Sequence, residues 1–80
     1  MDLLHMRYFQ KVAELGNITR ASEELHVAQP AISKIIKNLE AEVGYPLFNR
    51  LGKYITLNQN GGIFLKYTNQ VFQSLNDAKL

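Results

Sequence analysis

Gln29, Ser33, Lys34 and Lys37 recur at steps that a helix turns to one side. That set suits one kind of chemistry. A glutamine amide carries a donor and an acceptor side by side, which matches the edge adenine shows in the major groove of DNA. Lys34 can donate to the acceptors of guanine, and Ser33 is short enough to permit close approach. Lys37, one turn further on, is better placed for a phosphate. Pro30, inside the set, is first of all a helix starter, because its missing N–H would be unbonded there anyway. Arg50 and Lys53 stand near the tip of a hairpin whose tight turn is Leu51-Gly52-Lys53, where they can reach a flanking backbone or a minor groove. Thr19 and Arg20 stand where a helix can begin, and the free N–H groups of such an end also suit a phosphate.

Other chemistries find little support. The chain has no cysteine, which removes thiol nucleophiles, thiolate metal sites and disulfides. His5 and His26 are too far apart in sequence to suggest a metal centre. There is no paired-carboxylate cleft, no nucleophile–base pair and no glycine-rich phosphate loop, and Gly61-Gly62 alone does not make one. Neither an enzyme nor a cofactor is expected.

The elements that must position these residues follow from punctuation and period. The chain of 80 residues is 46% hydrophobic and 20% charged, a globular composition for one small domain with a thin core. It has no apolar run of membrane-spanning length and no basic, apolar start of a secretory signal, so a soluble protein of the cytoplasm is expected. The net charge is only +2, but no acid falls in 25–39 or in 43–76, whereas Lys34, Lys37, Arg50, Lys53 and Lys66 do.

Residues 2–15 read as an amphipathic helix that Gly16 stops, with Leu3, Met6, Phe9, Val12 and Ala13 on its apolar side. Residues 19–26 read as a short helix capped by Thr19. Residues 29–43 form a third, with Ile32, Ile36, Leu39 and Val43 facing inward and Gly44 as its end. Residues 47–57 favour a short hairpin. From Asn58 a helical period returns, with Phe64, Thr68, Val71, Leu75 and Ala78 as a coiled-coil-like seam. Ile63, Leu65, Tyr67 and Phe72 lie off that seam, so this helix asks for burial on two sides. One side can pack on the domain, and the seam is expected to meet a second copy. The predicted architecture is mainly α: a winged helix–turn–helix, with a three-helix core and a β-hairpin wing over 1–57, followed by a long linker and dimerisation helix over 58–80.

The sequence resembles the DNA-binding domain of LysR-type bacterial transcription regulators. The matching residues are Met6-Arg7-Tyr8-Phe9, Ala21, Leu25-His26-Val27 and Gln29-Pro30-Ala31-Ile32-Ser33-Lys34. Ile36, Leu39-Glu40, Gly44, Pro46-Leu47-Phe48, Arg50, Leu57 and Gly61 continue the match. The resemblance implies that Gln29, Pro30, Ser33 and Lys34 face an operator and that Arg50 and Lys53 reach the backbone or minor groove. It also implies a homodimer through the last helix, an inverted-repeat operator, a bacterial cytoplasmic setting on the nucleoid, and a small-molecule effector bound by a further C-terminal domain.

Some positions depart from the family's pattern. Ala28 stands where serine is usual, which removes a helix cap at a cost of about 1 kcal/mol. Ile35 replaces a polar residue and either sits exposed or touches a thymine methyl. Ser22 replaces an alanine, Asn58 a threonine, and Gly62 adds a glycine that loosens the first turn of the last helix. Two blander roles stay open: Arg50 could pair with Glu40 or Glu42, and the apolar last helix could mark a protein–protein interaction module without a DNA role.

Overall fold

The computed structural model describes residues 1–52 and 54–79. Helix α1 (Leu3–Leu15) starts where the Asp2 carboxylate accepts the His5 N–H at 2.8 Å. It stops where Gly16 turns left-handed at φ 63° and donates its N–H to the Val12 carbonyl. Helix α2 (Ile18–Leu25) is capped by Asn17, whose side chain accepts the Arg20 N–H at 2.9 Å. The expected cap, Thr19, instead lies inside the first turn. The reason is packing: a helix opening at Ile18 buries both Ile18 and Ala21.

Three residues, His26 to Ala28, join α2 to α3 (Gln29–Val43). His26 adopts the left-handed conformation at φ 56°, and the following Val27 N–H returns to the Ser22 carbonyl. This closes α2 without a glycine. Helix α3 has no side-chain cap, as Ala28 predicts, and Pro30 sits in its first turn. Ile32, Ile36 and Leu39 are buried, and Gly44 ends the helix.

Strands β1 (Phe48–Leu51) and β2 (Tyr54–Leu57) form an antiparallel hairpin that pairs Phe48 with Leu57 and Arg50 with Ile55. The hairpin is anchored at β2, where the Ile55 N–H reaches the Gly16 carbonyl and Tyr54 bridges to Asn17. Helix α4 (Gln59–Asp77) follows, capped by Asn58, which accepts from the Gly61 N–H and donates to the Pro46 carbonyl. Gly61 is buried so tightly that a Cβ there would collide with the Leu47 carbonyl oxygen. The predicted mainly α, winged architecture is the observed one.

Phe9 of α1 organises the core. Its ring lies 5.5 Å from Phe48 of the wing and 5.0 Å, edge-on, from Phe64 of α4. Burial of each such side chain is worth about 1.5–3 kcal/mol, so truncating Phe9 would unseat three elements at once. These contacts also correct the expected seam of α4. Phe64 packs against the core, and Thr68 is 1% exposed within a single chain, donating its hydroxyl to the Phe64 carbonyl. Both therefore face their own domain. Of the other seam residues, Val71 is exposed, Leu75 is half-buried and Ala78 lies past the end of α4 as its C-cap. The exposed apolar row runs one step round, through Ile63, Tyr67 and Val71.

Candidate nucleic-acid interface

The inward stripe of α3 fixes what its other side must present. With Ile32, Ile36 and Leu39 buried, Gln29, Pro30, Lys34 and Lys37 are left exposed and Ser33 half-buried. Ile35, beside them, is also half-buried. Among the described residues, neither Lys34 nor Lys37 is in an ion pair, so their ammonium groups remain available to an anion. The acids of α3 lie only at its far end, at half-buried Glu40 and exposed Glu42.

Those two carboxylates have other duties. Glu40 accepts the Leu47 N–H at 2.7 Å, and Glu42 holds the Met1 ammonium. Neither pairs with Arg50, which is exposed and has no ion-pair partner among the described residues. Arg50 lies directly across the hairpin from buried Ile55 and so shares the inner face. It stands where that face runs past the core into solvent. Lys53, the other wing cation expected here, lies outside the described residues.

The start of α2 is less open. Thr19 is half-buried and its carbonyl accepts the Ser22 hydroxyl, while the exposed Arg20 guanidinium comes within 3.9 Å of Glu24. That contact is long and solvent-exposed, so it holds Arg20 only weakly. Lys11 is different: its hydrogen bond to Glu14, with the charges of Glu14 and Glu24 nearby, raises it above the usual lysine range. It staples α1 to α2 and is no part of the cationic face.

Sequence reasoning missed three positioning residues. Asn17 was legible as a capping type but stands only two residues before another, Thr19. His26 takes a left-handed position where glycine would be the usual signal. The reach of Glu40 to Leu47 leaves no local trace, because it depends on how the chain folds back after Gly44.

A short three-residue link between α2 and α3, an outward polar face on α3 and an adjoining hairpin define a winged helix–turn–helix DNA-binding domain. The model of the bacterial regulatory helix-turn-helix proteins of the lysR family matches residues 3–62. The chain belongs to that family. It is 42% identical over 79 residues to the RuBisCO operon transcriptional regulator of Allochromatium vinosum, covering 99% of this chain and 26% of that protein. It is 41% identical over 80 residues to the Hca operon transcriptional activator HcaR of Escherichia coli (strain K12), covering 100% of this chain and 27% of that protein. This chain thus spans about a quarter of the length of these relatives. Among solved structures, the CbnR DBD–DNA complex superposes with a TM-score of 0.92 at 33% identity, covering 99% of this chain and 91% of that one. The BenM DBD/benA site 1 DNA complex superposes at 0.90 with 33% identity, covering 98% and 91%. The fold and the relatives are those of transcriptional regulators, not of enzymes.

Proposed function

We propose that this domain binds double-stranded DNA sequence-specifically as a homodimer on an inverted repeat. Helix α3 enters the major groove, where Gln29, Ser33 and Lys34 meet base edges beside Pro30. Lys37 meets a phosphate, Arg50 and Lys53 of the wing meet the flanking backbone or minor groove, and Thr19 and Arg20 meet a phosphate at the start of α2. The observation that carries the reading is the exposed Lys34–Lys37 side of α3, in no ion pair among the described residues, on a helix whose other side is committed to the core. The DNA complexes among the similar structures support it.

Helix α4, as the linker over 58–80, supplies the dimer contact. Its exposed row of Ile63, Tyr67 and Val71, with Leu75 alongside, favours a second copy over open water. A small-molecule effector is then sensed by the portion of the relatives' length that this chain does not span, and the protein works on the bacterial nucleoid.

The test is a binding titration on duplexes selected from a random pool, repeated across salt. Affinity should fall steeply, with a slope of about −0.9 per neutralised phosphate. Tyr67→Glu should abolish binding to paired sites as a dimer while leaving the domain folded. A response flat in salt would remove the DNA reading and favour a protein–protein module, for which charge reversal at Lys34 and Lys37 would be harmless.

A further inference from the structure

Helices α1 and α4 run antiparallel, and their contacts form an ordered series. Phe9 meets Phe64 first, Gln10 meets Asn69 next, and Arg7 meets Phe72 beyond that. The first contact is apolar and belongs to the core. The other two are directional. The Gln10 amide donates to the Asn69 side-chain oxygen at 2.7 Å, and the Arg7 guanidinium lies 3.8 Å from the centroid of the Phe72 ring. Arg7 also donates to the Gln10 amide oxygen at 3.5 Å, which turns that amide's NH2 toward Asn69. One circuit therefore grips α4 at two successive turns from a single face of α1.

We infer that Arg7 and Gln10 are positioning residues that set the angle of α4 on the domain, and thereby the spacing of half sites that a dimer accepts. This rests on the homodimer reading above. Apolar burial is non-directional and lets a helix rock about Phe64 and Thr68, whereas a hydrogen bond and a cation over a ring each weaken when the angle changes. The leverage is large. From Phe64 to Asp77 the helix runs about 20 Å, so a tilt of about 10° about that contact moves its far end by about 3.4 Å. That is about the 3.4 Å rise between successive base pairs, so a change of angle of this size alters which spacer fits. Arg7 and Asn69 are exposed and Gln10 is half-buried, while the Phe72 ring is buried, so the double variant removes surface groups and leaves the apolar contacts of the core in place.

The experiment compares the wild-type chain, the double variant Arg7→Ala/Gln10→Ala and the conservative Arg7→Lys. The probes are duplexes carrying one half site, or two in inverted repeat with the spacer varied a base pair at a time through one helical turn. Wild type should prefer one spacer and bind about tenfold more weakly two base pairs to either side. The double variant should flatten that difference below about threefold while its single-half-site affinity stays within about twofold of wild type. Arg7→Lys, which keeps a cation over the ring, should retain the wild-type preference. A double variant with an unchanged spacer profile overturns the inference alone. So does an equal loss on single and paired sites, since the residues would then act only through stability. A wild type indifferent to the second half site overturns the dimer reading, and this inference with it.

Discussion

The Glu40 carboxylate accepts the backbone N–H of Leu47 at 2.7 Å, and this one bond ties the last turns of α3 to the entrance of the wing. Leu47 is fully buried, so its N–H has no access to water as a substitute. Glu40→Ala should therefore destabilise the domain by about 1–3 kcal/mol, the cost of leaving a buried donor unmet. Glu40→Gln, which keeps an acceptor oxygen, should lose less. Urea denaturation of the two variants checks this, and equal losses would show that the bond to Leu47 is not what Glu40 contributes.

Adjacent glycines should respond with opposite signs. A methyl group at Gly61 meets the Leu47 carbonyl and the Leu57 side chain, while one at Gly62 meets open space. Gly61→Ala should cost about 1–3 kcal/mol through forced backbone movement. Gly62→Ala should stabilise by up to about 1 kcal/mol, because alanine has the higher helix propensity. Thermal melting of each variant gives the sign directly, and a melting point raised by Gly61→Ala would contradict the packing described for α4.

Helix α3 lacks a side-chain cap, and Ala28 at its start has φ −59° and ψ 139°. Ala28→Ser should add no more than about 1 kcal/mol of stability, because Pro30 has no N–H and the Ala31 N–H, the one a serine there could accept, already donates to the Ala28 carbonyl at 3.0 Å. The gain should appear as a shift of the denaturation midpoint without a change of slope.

Lys37 and Gln29 should separate affinity from specificity. Lys37→Ala should weaken binding to all DNA sequences alike and reduce the salt slope by about 1. Gln29→Ala should cost about 1–3 kcal/mol on the selected sequence and far less on random DNA. Parallel titrations on selected and random duplexes distinguish the two, and a uniform loss for Gln29→Ala would take it out of base readout.

Much of this was legible in the sequence. The period of α1 and α3, the glycines that end them, and the strand-forming residues around Leu51-Gly52 are local signals, and each led to an observed element. The outward side of α3 was legible for the same reason: once Ile32, Ile36 and Leu39 turn inward, the 3.6-residue period leaves Gln29, Lys34 and Lys37 no other direction. The start of α2 was misread by two residues because asparagine and threonine are both capping residues. The choice fell to Ile18, which needed a place in the core.

The sequence alone determined the set of elements and the polar face of α3, since both depend on neighbours within a turn or two. Tertiary structure decided which of two apolar sides of α4 the domain would take. The Phe64–Thr68 side went to Phe9 and the core, and the Ile63–Tyr67–Val71 row was left outside. A helical period records only that two apolar sides exist. Which one is covered depends on where α1 and the hairpin lie, and those contacts join residues more than fifty positions apart in the chain.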